Sequence, residues 1–285
     1  LKALEQKGVF DFEQIKAGGE LPLLVAADLW PKGMPASLDL AELGLSTDDL
    51  EAGRKREEEQ KETTARQRRS FTFAGEDLDT AASNFADQLV QIAEAAMEDE
   101  EWLRRSRRRF KLAEMPSGSN PSGPPGGSGG HRKRAPRMSD DVKAAMGFAG
   151  EFLAGRFLAA KHGVRFDDAC WVSRNRELAL RDGEFGDDGL GFDFRVRTKE
   201  VEWRYEVKAS LEETFEFEFT QNEMRVAAEC AADGSRRYRI LYAPFVDDPT
   251  RWRVMELPNP MSEAGRALFR TVGAGATRMR FNPTG

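Results

Sequence analysis

Histidine and cysteine are nearly missing from this 285-residue chain, which has two of each. With only His131 and His162 to serve as ring bases, a serine or cysteine triad is excluded. Cys170 and Cys230 stand far apart with no C-x-x-C partner. That excludes a zinc ribbon and a disulfide framework and fits buried thiols of a reducing, cytoplasmic setting. No run approaches the roughly 18 apolar residues of a membrane span. The longest, from Leu21 to Trp30, is interrupted by Asp28. A signal-peptide pattern is also lacking, and an opening Leu-Lys-Ala-Leu without Met is expected of a piece cut from something longer. The net charge of −6 excludes a global attraction to nucleic acid, so any such binding needs a local basic patch.

Glycine and proline, by contrast, are concentrated. From Pro116 to Arg137 the chain is Pro, Ser and Gly, with a single Asn120, until the basic group His131-Arg132-Lys133-Arg134. Such a segment buries too little apolar surface to offset its chain entropy and reads as a tether. Arg132, Lys133 and Arg134 are either the solubilising end of that linker or an arm that grasps nucleic-acid phosphates. The expected division is therefore a mostly helical accessory region over 1–115, a linker over 116–138 and a self-contained domain over 139–285.

Within the accessory region, Ser37 to Leu43 suggests a short helix, and Asp48 to Arg69 a charged helix with almost no apolar seam. Phe71-Thr72-Phe73 suggests a strand. Phe85, Leu89, Ile92, Ala96 and Leu103 recur at helical spacing. The arginines from Arg104 to Arg109 end that helix. They are either neutralised by Glu98 to Glu101 one turn earlier or form a nucleic-acid patch.

After the tether, Ser139 is placed to cap a helix reaching about Lys161. Strands are expected at 170–172, 192–196, 203–208, 215–219, 238–244 and 252–257, with a helix over 220–232. This order argues for an α/β (α+β) fold built on a mixed sheet flanked by helices.

The chemistry-bearing residues lie on two adjacent alternating strands. Alternation puts Asp193 and Arg195 on one face of the first, and Glu206 and Lys208 on the corresponding face of the second. In a hairpin closing about Lys199-Glu200, paired positions sum to 399 and Asp193 faces Glu206, although Lys199-Glu200 is a poor two-residue turn. Two facing carboxylates repel unless a cation lies between them, and hard oxygen ligands select Mg²⁺ or Mn²⁺. Lys208 is then placed to hold or deprotonate a water, or to neutralise a pentavalent phosphate. The competing reading is a charge-laced solvent face.

Glu151 is the one carboxylate in a helix that is otherwise small or apolar nearly all round, so it is either solvated or part of the site. The neighbouring glycines would let the sheet approach closely. Glu223 completes Thr220-x-x-Glu223, a capping box. Gly186 to Gly191 lacks the Lys-Ser/Thr of a phosphate-binding loop and precedes a strand. His162, beside Gly163, reads as a helix-end cap or dipole partner.

Asp193 followed by Glu206-Val207-Lys208 resembles the D…E-x-K core of the PD-(D/E)xK nuclease superfamily. More narrowly, Gly150-Glu151, Gly191-Phe192-Asp193-Phe194, Glu206 to Ser210, Thr220 to Glu223 and Tyr238 to Tyr242 together resemble the C-terminal domain of NO VEIN-type proteins. That resemblance implies a restriction-endonuclease-like fold. It makes Asp193 and Glu206 ligands of Mg or Mn, Lys208 a catalytic lysine and Glu151 an accessory acid. Arg195 would contact the nucleic acid. The activity implied is phosphodiester cleavage, of DNA in the first instance, by an effector domain in defence or restriction. A catalytically inactive binding module and a scaffold are the alternatives. Trp30 to Pro35 and Ser37 to Leu40 resemble the segment that follows a sacsin-type, Hsp90-like ATPase, implying such a module upstream as a partner.

Overall fold

The structure is a computed structural model. It describes residues 47–108, 111–115, 138–163, 170–180, 185–272 and 278–284, with only the backbone path for 47–54 and 57. The short helix expected near 40, the tether and its basic end, and residues 30–40 lie outside the described residues. By contacts the chain divides between Gln67 and Arg68. In the first unit the described element is α1 (Thr47–Arg69), a charged helix whose described side chains are almost all exposed, as the missing apolar seam requires.

The second unit, from Arg68 onward, begins with β1 (Ser70–Phe73) and β2 (Glu76–Asp79), an antiparallel hairpin. Its two turn residues, Ala74 and Gly75, both take positive φ (54° and 85°), the backbone a tight two-residue hairpin prefers. Then come α2 (Phe85–Met97) and α3 (Glu101–Arg107), where the sequence periodicity suggests one helix. The break is at Glu100, whose φ of 51° is left-handed. The short strand β3 (Lys111–Leu112) follows.

The helix α4 (Asp140–His162) starts at the Ser139 cap, whose Oγ accepts the Val142 N–H, and stops at Gly163 with φ 65°. The short helix α5 (Arg176–Ala179) precedes the main strands, β4 (Phe194–Arg197) and β5 (Glu202–Ala209). After them come β6 (Glu216–Glu218), α6 (Gln221–Ala232), β7 (Arg236–Ala243) and β8 (Met255–Leu257). The chain finishes with α7 (Glu263–Arg266), β9 (Phe269–Val272), β10 (Arg278–Phe281) and β11 (Pro283–Thr284), none of which the sequence periodicity reveals. Residues 170–172 form only a bridge to β4, Trp171 to Phe194.

The main sheet has the order β4-β5-β7-β8, with β5 and β7 parallel and both outer pairs antiparallel, so it is mixed, as in an α+β fold. Strands β6, β10 and β9 form a second, antiparallel sheet, and β3 pairs with β11. One apolar core joins Trp203, Tyr205 and Val207 of β5 to Phe148, Phe152 and Leu153 of α4, and extends to Phe71, Phe73, Leu89 and Trp102. Thus α4 is enclosed on opposite sides, which explains a helix that is apolar or small nearly all round. The other core lies against the opposite face of the sheet and gathers Ile240 and Tyr242 of β7, Val226 and Ala227 of α6, and Phe217, Phe269 and Phe281 of the second sheet. The described parts of 68–115 therefore belong to the same compact unit as the C-terminal residues. Among the described residues no helix is long and apolar enough to cross a membrane. Neither cysteine is in a disulfide; Cys230 is buried and Cys170 half-buried.

Candidate functional site

Site geometry begins with the β4–β5 hairpin. Its pairs are Phe194 with Tyr205, Arg195 with Arg204, Val196 with Trp203 and Arg197 with Glu202, each summing to 399. The turn is the short one despite its poor residues. Neither Lys199 nor Glu200 has positive φ. Instead Thr198 ties the turn by accepting the Val201 N–H on Oγ1 (3.1 Å) and donating from the same hydroxyl to Val201 O (2.8 Å).

At its other end the ladder changes partners. The Asp193 N–H donates to Tyr205 O (2.8 Å), and the Val207 N–H is taken by Asp193 Oδ2 (2.7 Å). Asp193 is thus clamped to β5 by its own carboxylate next to Glu206, where unbroken pairing would set the two residues squarely opposite. Its carbonyl accepts the Val172 N–H (2.8 Å), which fixes the strand from the outer side.

On β5, Glu206 and Lys208 share the face that carries Ile240 and Tyr242 of β7, their register partners. Lys208 Nζ donates to Glu206 Oε1 (2.9 Å) and to Glu223 Oε2 (2.7 Å). The capping box at the start of α6 is present: Thr220 Oγ1 accepts the Glu223 N–H, and Glu223 Oε2 accepts the Thr220 N–H. One carboxylate oxygen therefore caps the helix and binds the lysine. The sequence reveals the cap but not the ion pair, because nothing in Thr220-x-x-Glu223 shows which way the helix start faces.

Glu151 enters from α4. Its Oε2 accepts from Trp171 Nε1 (2.6 Å) and from the Ser173 hydroxyl, and its Oε1 accepts from Asn175 Nδ2 (2.6 Å). Trp171, Ser173 and Asn175 carry no signal in the sequence, where their segment reads only as a short strand and its exit. The helix comes close because of Gly150: a Cβ there would stand 2.4 Å from Ala209 Cβ.

Glu151 and Glu206 are each only 7% exposed, which rules out the solvent-face reading for these two. Burial pushes Glu151 up to about 7 against its three donors, and the Glu206 charge adds to the rise. Burial, and then the neighbouring Glu151, hold Asp193 well above the usual carboxylate range. Burial and Asp193 do the same to Glu206. For Lys208 burial opposes the charge, but Glu206 and Glu223 outweigh it and raise the ammonium above its ordinary value. Four carboxyl groups that feel one another are thus served by one ammonium.

The structure brings together Asp193, Glu206, Lys208 and Glu151 and adds Glu223. Arg195 lies half-buried on the strand directly across from Arg204, and its Nε is buried without a hydrogen-bond partner. Arg204 is drawn aside by Glu202 (2.9 Å) and stacks over the Phe192 ring. Arg132, Lys133 and Arg134 are outside the described residues. His162 does more than end a helix: its Nε2 lies 2.7 Å from the Tyr205 hydroxyl, and its ring packs against Trp203.

The donor set is all hard oxygen with an excess of negative charge, the chemistry that suits Mg²⁺ or Mn²⁺. Among the described residues, however, no group of three or more His, Cys, Asp or Glu is gathered as a ready-made metal cluster. Asp193 and Glu206 would supply two ligands at most before side chains move, with Lys208 already on one of them.

Residues 171–250 match the family model described as Protein NO VEIN, C-terminal. The match takes in 80 of the 285 residues, among them Asp193, Glu206, Lys208 and Glu223, and leaves Glu151 outside. Neither the curated proteins nor the solved structures gave a match.

Proposed function

From this geometry and the match of residues 171–250 to the NO VEIN C-terminal family model, we propose that Asp193, Glu206 and Lys208 form the site of a metal-dependent nuclease that hydrolyses phosphodiester bonds of nucleic acid, DNA first among them. The observation that carries the reading is the charge imbalance: four buried or half-buried carboxyl groups around one ammonium. A site built that way invites a cation. A divalent ion held by Asp193 and Glu206 would supply an acidified water and offset negative charge on the phosphoryl oxygens.

The chain's own residues divide the remaining work. Lys208 stays protonated at neutral pH, since two carboxylates raise its affinity for the proton. It therefore neutralises charge on the scissile phosphate and is unsuited to be the base. Glu223 aims Lys208 and is itself fixed by the helix cap. Glu151, a proton holder near neutral pH, orients Trp171, Ser173 and Asn175 at the edge of the site. The setting proposed is a defence or restriction effector working in the cytosol.

One observation favours a second reading, a nuclease-like module that binds without cutting. Lys208 is already bonded to two carboxylates, and Asp193 Oδ2 to Val207. The full chain should be assayed on plasmid, linear duplex and single-stranded substrates with Mg²⁺, with Mn²⁺ and with chelator. Metal-dependent cleavage by the wild type and none by Asp193→Asn is the expected result. Cleavage that Asp193→Asn retains at the wild-type rate sinks the proposal, and binding without cleavage by the wild type moves the assignment to the second reading.

A further inference from the structure

The aromatic side of β5 leads to a recess of about 640 Å³ at the far end of α4. It is lined by Arg107 at the end of α3 and Arg108 just past it, by Phe157, Ala160 and Lys161 from α4, and by Glu256 of β8. Three cations thus face one carboxylate. Glu256 is already bonded to Lys161 and lies 3.5 Å from Arg239, so it leaves Arg107 and Arg108 uncompensated. Arg107 reaches only the Ala160 carbonyl, at 3.4 Å, and the Arg108 side chain has no hydrogen bond or ion pair among the described residues. Both are exposed. The other α3 arginines are occupied: Arg104 pairs with Glu101 (2.7 Å), and Arg105 donates to Trp252 O and Pro249 O. The sequence treats this arginine run as one feature; of its four described arginines, the fold turns Arg104 and Arg105 to partners elsewhere and Arg107 and Arg108 to the recess, while Arg109 lies outside the described residues.

Around the recess the cations are interleaved with rings. Lys161 Nζ lies 5.5 Å from the centres of the half-buried Trp203 and the fully buried Tyr205, and the Arg239 guanidinium 5.4 Å from Trp203. A cationic groove with a partly open ring beside it, here Trp203, has the general form of a surface that follows a nucleic-acid backbone. From Glu151 to Lys161 is ten residues of helix, about 15 Å. A phosphate in the recess is therefore not the one at the carboxylates.

We infer that this recess binds the phosphate backbone of a nucleic-acid strand through Arg107, Arg108 and Lys161, at a distance from the acidic site. The recess and its charge do not depend on whether that site cuts.

The test uses the full chain carrying Asp193→Asn, in chelator, so that binding is read without cleavage. Anisotropy of a short labelled single strand is followed against salt, with inorganic phosphate alone as a separate arm. Arg107→Glu/Arg108→Glu should weaken oligonucleotide binding at least tenfold. The dependence of log K on log salt should become shallower by about 1.4, at about 0.7 for each phosphate of a single strand that is no longer neutralised. Arg197→Glu/Lys199→Glu at the hairpin tip makes the same charge change elsewhere and should have a much smaller effect. Thermal melting confirms that both pairs of exposed substitutions leave the fold intact, and Arg107→Ala/Arg108→Ala provides a second, milder variant. Equal losses from both charge reversals would overturn the inference in favour of diffuse attraction. Unchanged binding by the Arg107/Arg108 variants would overturn it outright. Arginine-dependent binding of phosphate without any of the oligonucleotide would replace the strand by a free anion.

Discussion

The two faces of β5 are made by one alternating run of sequence, yet they have opposite chemistry. Toward α4 the strand presents Trp203, Tyr205 and Val207, and toward α6 it presents Arg204, Glu206 and Lys208. The apolar face is held by shape and water exclusion, with Lys161 and Arg239 placed over the rings at its far end. The opposite face keeps charges at low exposure only by pairing them, and the pairing is incomplete: with Glu151 reaching the edge of the site from α4, one ammonium stands among four carboxyl groups. Structural order on the first face is therefore what permits electrostatic tension on the second.

The largest expected effect breaks the apolar face. A fragment beginning at Ser139 loses Phe71, Phe73, Leu78, Leu89 and Trp102 from the core around α4. At about 1.5–3 kcal/mol for each buried side chain, that loss rivals a whole net stability of about 5–15 kcal/mol. Denaturant titration should show no cooperative transition for this fragment and a clear one for a fragment beginning at Arg68. A cooperative Ser139 fragment would mean that the two faces are supported independently.

A smaller effect breaks the charged face. Lys208→Met leaves Glu206 and Glu223 buried without their cation, a change expected to cost about 3–5 kcal/mol. The loss should be greatest above neutral pH and shrink on acidification, as the carboxyls take up protons. Chemical denaturation at two pH values reads both the size and the direction.

The subtlest test sharpens the comparison without breaking either face. Glu151 holds its proton up to about pH 7 in the folded protein, against an ordinary value of 4.5. Between those values the folded state binds more protons than the unfolded one, so its stability falls as pH rises through the window. At about 1.4 kcal/mol per pH unit, the swing is on the order of 3 kcal/mol. Glu151→Gln keeps an amide in reach of the same partners and cannot ionise. It should flatten the decline between pH 4.5 and 7 in metal-free stability curves; curves of identical slope would remove Glu151 from the electrostatic account.

The legible part of this molecule is what alternation and local chemistry determine. The faces of β4 and β5, their register sum, the Thr220–Glu223 cap and the Ser139 cap all follow from spacing within a few residues. The choice between a solvated and a buried Glu151 and Glu206 did not follow, because it depends on what covers them. Glu223 meets Lys208 across fifteen positions, and Glu151 meets Trp171, Ser173 and Asn175 across at least twenty. The strands β9, β10 and β11 are hidden for the same reason. Each is two to four residues long, and partners elsewhere in the chain rather than periodicity define it.

Gly150 and Ala209 touch where α4 crosses β5, and each is the immediate sequence neighbour of a charged residue, Glu151 and Lys208. The meeting of the two works as a caliper: the gap between helix and strand sets how far apart those two charged side chains begin. A methyl added at position 150 would open it, and the acidic rim and the lysine would separate without either being altered. Selection on catalysis or binding would then be visible at two of the smallest residues in the chain, neither of which has any chemistry of its own.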